Sequence, residues 1–252
     1  MAHIDWPSPT PTWHSSTYPS ISPTRPELSA KGKNVLITGG GTGIGAETAR
    51  SFAKAGAARI ALLGRREQPL IETKESIESQ FPGTQVFVAP TDITDKDQVD
   101  AAFARFLGRD GKLDVLVSGA AFGGPNDSFT RVDIDKFLNT VDINVRGSLH
   151  TAKAFVRHAS AAAVAIEVNS NAAHVNFAPA YSAYSVAKLA VYRLWDTLAL
   201  AEPGLRVYHV HPGVVDTDMN KEAGGIEALG YEDHGTWQKP SLIFFYWSMM
   251  IN

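Results

Sequence analysis

The chain has 252 residues, 44% of them hydrophobic and 19% charged, with a formal net charge of -3. That balance suits one domain with a sizeable core and gives no basic surface for nucleic acid or an acidic membrane. The chain has no cysteine, so disulfides, thiolate nucleophiles and zinc–thiolate sites are excluded.

Residues 1–33 are rich in Pro, Ser and Thr and lack a basic start followed by an apolar run. They do not read as a secretory signal. They read equally as an extended arm, partly ordered by Trp6, Trp13 and Tyr18 packing on the body, or as a wholly disordered tail, with a cytoplasmic location expected. From Asn34 the chain alternates short apolar runs with amphipathic segments. Strands are expected at Asn34–Thr38, Arg59–Gly64, Gln85–Pro90, Asp114–Gly119, Ala162–Ser170 and Leu205–Pro212. Helices are expected from about Gly43 to Lys54, Pro69 to Gln80, Asp95 to Phe106, Ile134 to His158 and Ala180 to Ala201. Continuous apolar strands separated by helices imply an α/β, doubly wound and mostly parallel sheet in a single domain. Ligands of such sheets bind outside the carboxyl ends of the strands, so functional residues should follow each strand.

They do. After the first strand comes ITGGGTGIG, in which Gly39, Gly43 and Gly45 let the backbone turn tightly and approach a pyrophosphate at a helix N-terminus. The second strand ends at Gly64 and is followed by Arg65 and Arg66, where a binder of NAD usually carries an acid. Two guanidiniums there suit the 2′-phosphate of NADP(H); a solvated surface pair is the alternative. After the third strand, Asp92 could bond an adenine amino group or cap the next helix, and Thr94 and Asp95 are equally good caps. The fourth strand ends in Ser118–Ala121, small residues that leave room for a flat ring or ribose.

YSAYSVAK, Tyr181 to Lys188, holds two tyrosines and one lysine. On a helix, residues four apart share a face, so only Tyr184 has an ammonium beside its phenol. A nearby cation favours the phenolate, which can exchange a proton with a carbonyl or alcohol oxygen. Tyr181 reads as a pocket wall. His209 and His211 alternate along a strand; with no carboxylate evident nearby they read as packing residues, and no metal site is expected. His174, Phe177, Tyr181, Phe122 and Met219 are candidates to line an apolar pocket.

Across roughly residues 30–220 the chain resembles the short-chain dehydrogenase/reductase family. TGGGTGIG resembles its glycine motif, YSVAK its Y-x-x-x-K signature, and HPGVVDT its P-G motif after the sixth strand. The arm and first strand are similar to members from filamentous fungi, often linked to secondary metabolism. The resemblance implies a Rossmann fold and an oxidoreductase that reduces a ketone or aldehyde, or oxidises a secondary alcohol, with NADP(H). The pocket candidates named above would suit an apolar small-molecule substrate. A homo-oligomer is also implied. The alternative is a member that binds cofactor but has drifted to isomerisation, cyclisation or an inert scaffold.

Carried over by position, Tyr184 is the general acid/base and Lys188 holds the nicotinamide ribose. Asn144, in DINVRG, holds a water in the proton relay. A serine near the end of the fifth strand bonds the substrate oxygen. The commonest spacing lands on Asn171, but NSNAAH resembles relatives with serine at Ser170, which is preferred. The resemblance also places Thr42, Ile44, Ala120, Pro212, Gly213, Val215 and Thr217 against the cofactor. Two features depart from the family. Ser118–Ala121 replaces N-N-A-G, losing two asparagine side chains that support the adjacent strand. Residues 221–252 read as the substrate loop and an atypical ending: SLIFFYWSMMIN stands where a final glycine turn and strand are expected, as an unrelated or mis-spliced ending would, with a buried strand or helix as the alternative.

Overall fold

The computed structural model describes residues 18–175 and 179–224. Six strands form one parallel sheet in the order β3-β2-β1-β4-β5-β6: β1 (Asn34–Thr38), β2 (Arg59–Gly64), β3 (Gln85–Pro90), β4 (Leu113–Ser118), β5 (Ala159–Val168) and β6 (Arg206–Val210). The intervening helices are α1 (Gly43–Lys54), α2 (Glu67–Gln80), α3 (Lys96–Leu107), α4 (Ile134–His158), α5 (Ser182–Ala201) and the short α6 (Asp218–Glu222). This is a doubly wound, Rossmann-like architecture, with strand order reversing between β1 and β4.

Alternation along each strand sorts the core into two layers. Val35 and Ile37 pack with Phe52 of α1 and Leu70 and Ile77 of α2 on one face. Leu36 packs on the other face with Phe103 of α3, Phe155 of α4 and Trp195 of α5. Trp195 is fully buried and donates its indole N–H to Ser148 Oγ at 2.7 Å, tying α5 to α4. Truncating a buried tryptophan of this kind costs about 3–5 kcal/mol.

Most element bounds match the sequence reading, and the differences have physical causes. α2 begins at Glu67, two residues ahead of the expected Pro69, because proline is tolerated in a helix's first turn. α3 is capped by Asp95, whose side chain accepts from the N–H groups of Asp97 and Gln98. Asp92 instead folds its carboxylate onto Thr94, accepting from that residue's N–H at 2.9 Å and hydroxyl at 2.8 Å. β5 starts earlier than expected, at Ala159.

The described part of the arm packs against the body. Ile21, Leu28 and Ala30 are buried, and Lys31 forms an antiparallel bridge with Ala57. Trp6, Trp13, Phe177 and the atypical ending at SLIFFYWSMMIN lie outside the described residues.

Candidate active site

The glycine loop is shaped by backbone proximity. Gly39 has φ +75°, and Gly43 has φ +50°, conformations that side chains disfavour. A Cβ on Gly45 would lie 2.1 Å from the Gly39 carbonyl oxygen, so β1 and the first turn of α1 meet with nothing between them. Thr42, the N-cap of α1, makes no side-chain capping bond. The first-turn N–H groups therefore have no capping side chain and suit an anion. These residues fit the pyrophosphate of a dinucleotide. Thr217, the N-cap of α6, lies across the loop: a Cβ on Gly43 would sit 2.9 Å from its methyl carbon. Ile44 is half-buried against the core. Val215 and Pro212 are buried between β6 and α6, and Gly213 turns there at φ +80°.

Arg65 and Arg66 are both exposed at the carboxyl end of β2. Arg66 Nη2 lies 3.3 Å from Asp218 Oδ2 at the start of α6. At the end of β4, side chains from β1 and α4 hold the backbone of the turn. Thr38 Oγ1 accepts the N–H groups of Gly119 at 3.1 Å and Ala120 at 3.2 Å. Asn144 then holds the following turn, accepting from Phe122 N–H at 3.1 Å and donating to Phe122 O at 2.8 Å. Its amide also donates to Thr140 O at 2.8 Å. Asn144 is buried, and both its amide hydrogens are committed, so its side chain acts here as a brace between α4 and the strand end.

The structure distinguishes the two tyrosines. Tyr181 donates its hydroxyl to Ala223 O at 3.1 Å, and burial pushes its phenol above the usual range. Tyr184 is half-buried, and its hydroxyl makes no hydrogen bond among the described residues. Lys188 Nζ sits 5.9 Å from the Tyr184 ring centroid. The ammonium is buried and donates to Val168 O at 2.6 Å, which fixes it at the end of β5. An ammonium carries three N–H donors, so two remain for a ligand. Ser170 is half-buried at the same strand end and its hydroxyl accepts from Ala172 N–H at 3.2 Å. Asn171 is exposed, and its backbone N–H donates to His211 Nδ1 at 3.3 Å. That bond requires a neutral ring, and burial lowers the His211 pKa to about 4.

One participant went unread in the sequence. Glu167, near the end of β5, is almost wholly buried and lies 3.7 Å from Lys188 Nζ. Its other oxygen meets His209 Nδ1 at 3.0 Å and accepts from Asn169 Nδ2 at 2.7 Å. A carboxylate only accepts, so this His209 nitrogen carries the hydrogen. The reading of His209 as a packing residue without a carboxylate nearby is thus corrected. Removing one partner of a buried ion pair costs about 3–5 kcal/mol. The signal was a lone glutamate inside an otherwise apolar run, AAVAIEV. Of the pocket candidates, His174 turns its ring edge-on to Tyr192 at 4.8 Å, while Met219 approaches Gly123 beside Phe122. No group of three His, Asp or Glu among the described residues could hold a metal ion.

The short chain dehydrogenase family matches this chain over residues 33–226. The chain belongs to that family. The short chain dehydrogenase/reductase AacuD of Aspergillus aculeatus is 31% identical over 227 residues, covering 89% of this chain and 78% of that protein. A short chain dehydrogenase/reductase of Claviceps purpurea is 32% identical, covering 84% and 72%. A glucose 1-dehydrogenase of Gluconobacter oxydans is 35% identical, covering 75% and 71%. Among solved structures, a short-chain type dehydrogenase/reductase from Mycobacterium marinum superposes with a TM-score of 0.79 at 26% identity, covering 89% of this chain and 90% of that one. As a short chain dehydrogenase, this protein is an oxidoreductase that uses a nicotinamide cofactor and acts on small molecules. No helix among its described residues is long and apolar enough to cross a membrane.

Proposed function

We propose that this short chain dehydrogenase transfers hydride between NADP(H) and a ketone or aldehyde, or in reverse a secondary alcohol. The observation that carries the reading is Tyr184: half-buried, next to the buried Lys188 ammonium, with a hydroxyl that has no hydrogen bond among the described residues. Bound nicotinamide would supply or accept the hydride. In reduction, the Tyr184 hydroxyl gives its proton to the carbonyl oxygen; in oxidation it takes the alcohol's proton. Lys188 orients the ribose with its two remaining N–H groups, and its positive charge favours the phenolate once the proton has left. Ser170 holds the substrate oxygen through its hydroxyl hydrogen. Asn144 braces the turn against which the ribose and nicotinamide would lie.

The glycine loop with Thr42, Ile44 and Thr217 would take the pyrophosphate, and Ala120, Pro212, Gly213 and Val215 the nicotinamide half. The preference for NADP(H) rests on Arg65 and Arg66 at the end of β2, where no carboxylate of that strand competes. Asp92 would face the adenine with the carboxylate oxygen that Thr94 does not use. Phe122 and Met219 suit an apolar substrate. A place in secondary metabolism is supported by the likeness to filamentous-fungal relatives, and the family habit supports a homo-oligomer.

The test is Tyr184→Phe. It should abolish NADPH oxidation across a panel of carbonyl compounds, while NADPH binding, followed by fluorescence, stays within about threefold of the parent. Full turnover in Tyr184→Phe would refute the assignment.

A further inference from the structure

We propose that Glu167 is a positioning residue: through Lys188 it sets how much positive charge the Tyr184 phenol feels. The inference rests on the reading of Tyr184 and Lys188 as the acid–base pair.

A carboxylate inside a parallel strand is costly to desolvate, and packing does not ask for one here. Ala163 and Ala165, which precede Glu167 on the same sheet face, are small, apolar and fully buried. The cost is offset only by what the carboxylate meets. From α5, Lys188 lies 3.7 Å from one oxygen. From β6, its register partner His209 meets the other at 3.0 Å. From its own strand end, Asn169 donates to that second oxygen and also to Lys188 O at 3.3 Å, so one amide joins the carboxylate to the helix backbone that carries the lysine. On the β4 side the register partner is Ser118. Tyr192 of α5 lies over His209 at 4.2 Å between ring centroids, and His174 stands behind Tyr192. No other charged group meets the carboxylate among the described residues.

Two consequences follow from that arrangement. Lys188 is held at the end of β5 by one carbonyl and one anion, so its free N–H groups have a fixed direction. The anion also opposes the ammonium's field at Tyr184. Taking the negative charge away makes the phenolate easier to form; bringing it closer to Lys188 makes it harder. His209 and Asn169 draw the carboxylate away from the lysine, and so govern that distance.

The test compares Glu167→Gln and His209→Leu with the parent full-length protein. Glu167→Gln keeps shape and hydrogen bonding but removes the charge. His209→Leu keeps the charge and frees it to close on Lys188. Two readouts are taken. One is the acid limb of the pH profile of kcat for alcohol oxidation. The other is the ultraviolet difference titration of the Tyr184 phenol, isolated by subtracting the same variant carrying Tyr184→Phe. Glu167→Gln should move both to lower pH by about one unit, and His209→Leu should move both upward. A residue that merely holds the fold together would lower the melting temperature without shifts of opposite sign. Unchanged titrations, or shifts of the same sign in both variants, would overturn the proposal. Should Glu167→Gln not fold, an unmoved titration in His209→Leu overturns it alone. The phenol titration needs no turnover, so failure of the parent to act on any carbonyl or alcohol would defeat the proposed reaction while leaving this comparison readable.

Discussion

Gly45→Ala puts one methyl group where two backbone segments already touch. The added carbon would lie 2.1 Å from the Gly39 oxygen and 2.7 Å from the Gly39 carbonyl carbon, both under the 3.0 Å that real side chains respect. The first turn of α1 must back away from β1 by about 0.9 Å, measured against that limit. Alanine favours a helix over glycine by about 1 kcal/mol, partly by narrowing the unfolded ensemble. Overpacking against rigid backbone costs about 1–3 kcal/mol, so the clash offsets that gain and net stability falls by about 0–2 kcal/mol. The larger effect falls on binding, because the moved turn carries the N–H groups meant for the pyrophosphate. We expect NADPH affinity to fall at least tenfold, about 1.4 kcal/mol. Gly83→Ala is the control: its Cβ would meet nothing within 4 Å. Urea melts and fluorescence titration of NADPH read both quantities. Should Gly45→Ala bind NADPH like the parent and melt like Gly83→Ala, the close approach plays no part in holding phosphate.

Other expectations concern charge and the substrate oxygen. Replacing Arg65 and Arg66 together by Ala should weaken NADPH at least tenfold and leave NADH within about twofold, since only the 2′-phosphate loses partners; equal losses would count against the preference. Ser170→Ala should lower kcat by about a hundredfold with cofactor affinity kept, whereas Asn171→Ala, which retains the backbone N–H bonded to His211, should cost far less; the reverse order would move the substrate contact to Asn171. His211 has a folded pKa of about 4, below its ordinary 6.5. The unfolded chain therefore binds more protons between those values, and stability falls as pH drops through that window, by at most about 3 kcal/mol in all. Urea melts from pH 7 to pH 4 should show that slope, reduced in His211→Asn.

Local patterns were legible because local physics writes them. The bounds of β1, β2, β3, α1 and α4 follow from where apolar runs stop at glycine, proline or a polar cap. Tyr184 could be singled out over Tyr181 because helical spacing alone puts Lys188 beside it. What stayed hidden depends on register between distant segments. Glu167 meets His209 only because β5 and β6 align those two residues, 42 positions apart in the chain. Thr38 holds the turn after β4 only because β1 ends beside β4. The bracing role of Asn144 depends on where the turn at Phe122 passes α4, which no spacing rule encodes. The opposite case is Asp92, whose two weighed roles were both plausible by position, while its bond to Thr94 and the capping of α3 by Asp95 decided one of them.

The exposed contact between Arg66 and Asp218 has a practical meaning for an anion that approaches the β2 end. Such a solvated pair is worth about 0–1 kcal/mol, so an anionic group that exchanges it for its own contact with Arg66 gives up less than about fivefold in affinity. Without that tie, the first turn of α6 still carries Thr217, its N-cap, beside the glycine loop. Its far end stays moored, because Tyr181 and Asn126 both donate to Ala223 O. An anion arriving at the β2 end therefore displaces one weak surface tie and leaves the carbonyl bonds at the far end of α6 in place.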